Sequence, residues 1–295
     1  MESTAVRARP PENSGEYASP TMMTISNSEF NQLREFVYDK FGINLTEQKR
    51  SLVVGRLQKY IQSIGHSSFD SYFSYLTADK SFKAHDELIN RISTNFSYFY
   101  RENAHFDFFT TKALPELIRS LKLKNSKDIR IWTAGCSTGE EPYMLLMLMM
   151  EYLGIDYPNW NAGLLATDIS NNVLTFARQA LYPADRTTKV PKNILSKYFT
   201  KRPDNMMAVS EKVKKELTLR RFNLMNTVFP FKEPFHMIFC RNVMIYFDKP
   251  TRDTLVAKYH KALAPGGYLF IGHSETIGRE QSIFKYIMPA CYQKI

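Results

Sequence analysis

The chain has 295 residues, 44% of them hydrophobic, which is ample for one or two globular domains with cores of their own. Its longest apolar run, Met144 to Met150, falls far below the roughly 20 residues that span a bilayer, and residues 1–24 hold no signal-peptide-like block, so the expectation is a cytoplasmic protein without membrane insertion. Lys and Arg outnumber Asp and Glu 39 to 29, a net +10 that suits an acidic partner (nucleic acid, an anionic membrane face or an acidic protein surface), with scattered solubilising lysines as the plain alternative.

Residues 1–24 lack hydrophobic periodicity and read as a disordered tail. At Ser26 the sequence SNSE offers a capping box, and Phe30, Leu33, Val37 and Phe41 recur at helical spacing up to Gly42. A second helix is predicted over Glu47 to Ile64, with Val53, Leu57, Tyr60, Ile61 and Ile64 as its apolar stripe and Lys49, Arg56 and Lys59 on a neighbouring arc. Helical patterns at Phe69 to Leu76 and Asp86 to Ile92 complete a small all-helical domain over residues 26–95, followed by a linker and helix over 96–128.

From Ile129 the period changes. Strands are predicted at Ile129 to Ala134, Gly163 to Thr167, Leu217 to Phe222, Phe235 to Cys240 and Tyr268 to Gly272, alternating with helices such as Pro142 to Leu153, Asn172 to Ala180 and Arg252 to Ala264. That alternation implies an α/β fold with a parallel sheet. Ser282 to Met288 and Ala290 to Ile295 are separated only by Pro289, too tightly for a crossover helix, and should form an antiparallel hairpin at one edge. A mostly parallel, Rossmann-like sheet with a late antiparallel excursion is the layout of the class I methyltransferases. Residues 182–216 interrupt the alternation and are expected to be an inserted subdomain or functional loop. Cys136, Cys240 and Cys291 are scattered, with no CxxC or His/Cys spacing, which argues for reduced thiols and against a disulfide framework or a metal site.

The chemistry gathers where strands end. In AGCSTGEEPY, Gly135 and Gly139 allow close backbone approach to a ligand, while the absence of GxGxxG disfavours a pyrophosphate seat. Glu140 and Glu141 could attract a cation such as the sulfonium and ammonium of S-adenosylmethionine, or could simply open a helix. Asp168 ends the next strand, where a carboxylate can accept ribose hydroxyls, or cap a helix. Arg241, Asn242 and Tyr246 follow a later strand and face the same crevice, with ordinary packing as the alternative for Tyr246. Upstream, STNFSYFYRENAHF sets Asn95, Ser97 and Arg101 among aromatics: an interdomain hinge, or a shielded guanidinium suited to a planar anion. The NPPY-like motif usual in nucleic-acid amino-methyltransferases is absent.

Taken together, TNFSYFYRE, STGEEPY, ATDIS, FNLM, FCRNVMIYFDK, LAPGGYLFIGHSE and the helix EQKRSLVVGRLQKY make the chain resemble the CheR family over nearly all of Ser26 to Ile295. These are S-adenosylmethionine-dependent methyltransferases that esterify glutamates on the cytoplasmic part of bacterial chemotaxis receptors. The resemblance implies a small helical domain, a class I methyltransferase domain with an inserted β-subdomain, and S-adenosyl-L-homocysteine as product. It implies that Asn95, Ser97 and Arg101 line the cofactor and reaction site, with Ser97 standing where many relatives have threonine. Glu140, Glu141 and Asp168 would hold the methionine and ribose parts, Asn223 and Leu224 with Arg241 and Asn242 would complete the pocket, and Arg101 and Tyr246 would act on the substrate glutamate. Lys49, Arg56 and Lys59 would dock on the receptor. In some relatives the insert also binds a receptor C-terminal pentapeptide, a trait that residues 198–212 leave open. A nucleic-acid methyltransferase and a non-catalytic cofactor-binding scaffold are the competing readings. The expected enzyme is a monomer that acts on no nucleic acid.

Overall fold

The structure, a computed structural model, describes residues 23–277 and 283–295. The expected disordered tail lies almost wholly outside the described residues, as does Ser282, the predicted start of the last hairpin. Helix α1 spans Asn27–Phe41 and begins on the expected capping box, with Ser26 N donating to Glu29 Oε2 (2.7 Å) and Glu29 N to Ser26 Oγ (3.2 Å). It ends at Gly42, whose φ of 69° brings the chain against Met225 so closely that a Cβ would lie 2.2 Å from its sulfur. The second predicted helix divides into a 3₁₀ turn, Glu47–Lys49, and α2, Arg50–Ser63, which buries Val53, Val54, Leu57 and Ile61. α3 (Phe69–Ala78) and α4 (Lys83–Ile92) close this helical unit. α5 (Ala104–Phe108) and α6 (Leu114–Leu123) are joined through a π-helical turn, Phe109–Ala113.

The α/β part runs β1 (Ile131–Ala134), α7 (Glu140–Leu153), β2 (Leu164–Asp168), α8 (Asn171–Gln179), then the insert with β3 (Leu181–Pro183), α9 (Lys192–Tyr198), β4 (Phe199–Arg202), β5 (Met206–Val209) and α10 (Glu211–Lys214). It continues with β6 (Leu217–Arg221), β7 (Phe235–Cys240), α11 (Lys249–Ala262), β8 (Leu263–Ile271), β9 (Phe284–Met288) and β10 (Cys291–Lys294). Seven strands form one sheet in the order β6-β2-β1-β7-β8-β10-β9; the first five are parallel, and β10 lies antiparallel between β8 and β9. This is the class I methyltransferase sheet with the C-terminal hairpin that Pro289 suggested. The insert forms its own antiparallel sheet, β3-β5-β4. β1 is buried at every position and β7 nearly so, because helices cover both faces of a parallel sheet.

One boundary differs instructively. β8 starts at Leu263, five residues before the predicted Tyr268, with its register broken between Phe235 and Met237 of β7. The Pro265-Gly266-Gly267 segment reads as a breaker, yet it forms an irregularity inside the strand. A Cβ at Gly267 would lie 2.9 Å from the carbonyls of both Ala264 and His236. The chain leaves β1 for β2 and β6 on one side and returns to β7 on the other, so the strand order reverses between β1 and β7. That switch point opens a crevice at the carboxyl ends of the strands.

Candidate functional site

A cavity of about 340 Å³ occupies that crevice. Phe41, Ile43 and Ile89 of the helical unit form one wall, Gly135, Asp168 and Arg241 leave the sheet on another, and the Ser93–Arg101 strap crosses between them. Helical unit and sheet are bonded across it: Ser170 Oγ donates to Asn90 Oδ1, Asn171 Nδ2 to Asp86 (2.8 Å), and Ile43 forms a bridge with Phe247. Arg221 pairs with Asp86 as well. The helical unit is thus part of the cavity wall.

The turn after β1 is shaped by close approach. Gly135 has φ 89°, and a Cβ there would lie 2.3 Å from Val243 Cγ2. Ser137 takes a left-handed φ of 49°, which aims its N–H at Asp168 Oδ2 (2.9 Å) while its hydroxyl donates to the Asn95 carbonyl (3.0 Å). Asp168 also accepts from Ser170 N (3.0 Å). Burial raises its pKa, and the N–H groups of Ser170 and Ser137 oppose that shift. The carboxylate is held in place at the end of β2, against the cavity.

Arg241, at the end of β7, is bonded through both terminal nitrogens, while its buried Nε has no hydrogen-bond partner among the described residues. Its Nη1 donates to Glu141 Oε2 (2.7 Å), its Nη2 to Glu102 Oε2 (3.1 Å) and to the Arg101 carbonyl, and its guanidinium lies 5.3 Å from the Phe106 ring centre. Burial pushes the Glu141 carboxyl above its ordinary pKa and Arg241 pulls it back; for Glu102, burial is overcome by Arg241, and its pKa is lowered. Glu102 also accepts from Asn242 Nδ2 (3.1 Å). Glu275 gathers the Gly272, Asn242 and Ile245 N–H groups at 2.5, 3.1 and 3.0 Å, fixing the loop that carries Asn242 and Tyr246. Glu102, His105 and His273 bring three possible ligand atoms within 4.8 Å. The Glu102 oxygen nearest both histidines is also the one that accepts from Arg241.

Most of the expected site residues meet in this cavity: Asn95, Ser97, Arg101, Gly135, Glu141, Asp168, Asn223, Leu224, Arg241, Asn242 and Tyr246 all line it. Glu140 does not. It is fully buried in a separate ion pair with Arg186 (2.8 Å), so of the acidic pair only Glu141 faces the cavity, one helical position turning the neighbour away. Asn223 lines the wall but spends its side chain locally, donating to the Lys40 carbonyl (2.8 Å) and accepting from Met225 N (3.0 Å). Tyr246 donates to the Thr94 carbonyl (3.0 Å). Lys49, Arg56 and Lys59 do not form one uniform exposed face: Lys59 is exposed, Lys49 sits 5.9 Å from the Tyr246 ring centre, and Arg56 folds onto the strap, donating to Ile92 O (2.8 Å) and Thr94 Oγ1 (2.9 Å).

Sequence reasoning missed Glu102, Glu275 and the apolar wall. Glu102 directly follows Arg101, and Glu275 follows a strand end in GHSE, so each stood beside a signal; Phe41 read only as a member of a helical stripe, and Ile89 lay unremarked within the Asp86 to Ile92 helical pattern.

The cavity fits an adenosyl sulfonium better than a dinucleotide. It offers a buried acid at the end of β2, a second acid at the start of α7, and a glycine turn without the phosphate-binding spacing. Sheet and site together define a class I S-adenosylmethionine-dependent methyltransferase. Residues 95–292 match the CheR methyltransferase SAM-binding domain and residues 28–93 the CheR all-alpha domain. The chain therefore belongs to the CheR methyltransferase family. It is 43% identical over 92% of its length, and 96% of the relative's, to the chemotaxis protein methyltransferase of Borreliella burgdorferi. It is 34% identical to a probable chemotaxis protein methyltransferase of Rhizobium etli (87% of this chain, 96% of that one), and 30% identical to the chemotaxis protein methyltransferase of Escherichia coli (89% of each).

Proposed function

We propose that this chain methylates glutamate side chains on the cytoplasmic domain of chemotaxis receptors, acting as a cytoplasmic monomer. The observation that carries the reading is the contrast between the two arginines of the cavity. Arg241 is committed to two carboxylates and a carbonyl, whereas Arg101 donates only to the Phe96 carbonyl (3.1 Å) and has no ion pair among the described residues. A half-buried guanidinium with donors to spare, lining the cavity, suits an incoming carboxylate.

S-adenosylmethionine, when bound, supplies a methyl group on a positively charged sulfur. Asp168, Glu141 and the Gly135 turn would hold it, with Asn95, Ser97, Asn223, Leu224, Arg241 and Asn242 completing the wall. An acceptor glutamate is already ionised at neutral pH, its ordinary pKa being about 4.3, so the protein need supply no strong base. Its task is to exclude water, align the carboxylate and grip it without quenching its nucleophilicity. Arg101 pairs with one side of that carboxylate. Tyr246 would exchange its bond to Thr94 for one to the substrate, orienting one oxygen and leaving the other to attack.

The net charge of +10 favours a second reading, methylation of nucleic acid. A filter assay with labelled donor separates the two: methyl transfer to receptor cytoplasmic fragments, and none to RNA or DNA, is expected. Label on nucleic acid alone would overturn the proposal. Cofactor binding without turnover on any receptor fragment would indicate a scaffold.

A further inference from the structure

The inserted segment reaches into the cofactor turn from behind. Tyr182, at the centre of β3, is fully buried and donates its hydroxyl to the Thr138 carbonyl at 2.7 Å. The same hydroxyl stands 3.0 Å from where a Cβ on Gly139 would be, and Gly139 has φ 95°, so glycine and tyrosine are fitted to one another. Arg186 follows in the next turn. Its Nη1 donates to Glu140 Oε1 (2.8 Å), while Glu140 Oε2 accepts from Thr138 Oγ1 (2.7 Å), which closes a ring of bonds from the insert through the first residue of α7 back to the turn. The Arg186 carbonyl meanwhile accepts from Phe99 N (3.2 Å), and the Phe99 ring packs edge-on against Tyr182 at 4.9 Å.

We propose that Tyr182 and Arg186 are positioning residues for cofactor binding: they set the Ser137–Gly139 turn from its far side, so the insert is a structural part of the cofactor site as well as an appended module. The alternative is an ion pair between buried Glu140 and half-buried Arg186 serving fold stability alone. Such a pair is costly to bury and often replaceable by apolar packing, so the geometry around it matters more than its presence. Here both partners also bond Thr138, Glu140 by accepting from its hydroxyl (2.7 Å) and Arg186 by donating to it (3.4 Å), in the turn whose Ser137 N–H holds Asp168 and whose Ser137 hydroxyl holds Asn95. Displacing Thr138 by a few tenths of an ångström would move both. The proposal rests on the cavity being the S-adenosylmethionine site and not on the identity of the methyl acceptor.

Its test is the dissociation constant of S-adenosylhomocysteine, measured by calorimetry on the full chain well below the melting temperature. Tyr182→Phe keeps the buried ring and deletes one hydrogen bond, and is expected to weaken binding roughly 3- to 10-fold, the range that one such bond supports, with the melting temperature little changed. Arg186→Ala should weaken it more, and Arg186→Lys should recover part of the loss. KM for S-adenosylmethionine should rise in parallel while KM for a receptor fragment stays constant. Wild-type dissociation constants in Tyr182→Phe and in the folded fraction of Arg186→Ala would overturn the proposal, leaving a role in stability only. Should Arg186→Ala fail to fold, Tyr182→Phe and Arg186→Lys decide the matter between them. Failure of receptor methylation with homocysteine-product binding intact would instead count against the proposed substrate.

Discussion

The two sides of the cavity are built differently. The sheet side is buried and bonded in advance: Asp168 accepts two backbone N–H groups, Glu275 three, and Arg241 is held by two carboxylates. The strap side is half-exposed, with Phe96 64% exposed and Arg101 held by one bond, and Tyr246 reaches it from the loop after β7 through one side-chain bond to Thr94. A small cofactor common to every turnover suits a prepared seat, since preorganised groups need little rearrangement on binding. A protein substrate that must enter, react and leave suits groups whose bonds can be exchanged.

The comparison breaks if the two sides respond alike to mutation. The largest effect should come from Arg101→Ala, expected to cut turnover on the order of 100-fold or more, as for loss of a charged donor at a reacting group, with S-adenosylhomocysteine binding nearly unchanged. Asp168→Ala should do the reverse, weakening that binding by roughly 10- to 100-fold because a buried charged acceptor is lost. Tyr246→Phe should slow turnover only about 3- to 10-fold, since the hydroxyl must first leave Thr94. For docking, Lys59→Glu is a cleaner probe than the triple reversal of Lys49, Arg56 and Lys59, because Arg56 also ties down Ile92 and Thr94. It should weaken receptor association a few-fold at low salt and less at high salt, without altering cofactor affinity.

A pH dependence sharpens the contrast from the side of stability. His105 is fully buried, and burial, with Arg241 adding to it, depresses its pKa to about 4 from an ordinary 6.5. Its Nε2 faces the Pro289 carbonyl at 3.1 Å, joining the helix below the strap to the terminal hairpin. Between those values the unfolded chain binds the proton and the folded chain does not, so stability falls as pH drops from 6.5 to 4, by at most about 3 kcal/mol. Urea titrations across that window should show the loss, and His105→Gln should flatten it.

What the sequence revealed follows the range of each signal. The alternation of strand and helix, the capping box at Ser26 and the hairpin around Pro289 are local, and each is read within a few residues. Gly135, Asp168 and Arg241 were legible because the carboxyl end of a parallel strand has to face the crevice. The Arg186–Glu140 pair joins residues 46 positions apart and leaves no spacing to detect. The same holds for the Asn223 bond to Lys40 and for Phe41 and Ile89, whose helical periodicity marks burial without saying what lies beyond. Adjacent glutamates with different partners could not be told apart until α7 had a known rotation.

The most direct test is labelled methyl transfer to a receptor cytoplasmic fragment by wild-type and Arg101→Ala protein, with S-adenosylhomocysteine affinity measured on the same samples. Base-labile glutamate esters formed by the wild type, and lost in the variant at unchanged affinity, are the predicted result. Equal methylation by both proteins would contradict the assignment of Arg101 as the group that receives the acceptor carboxylate.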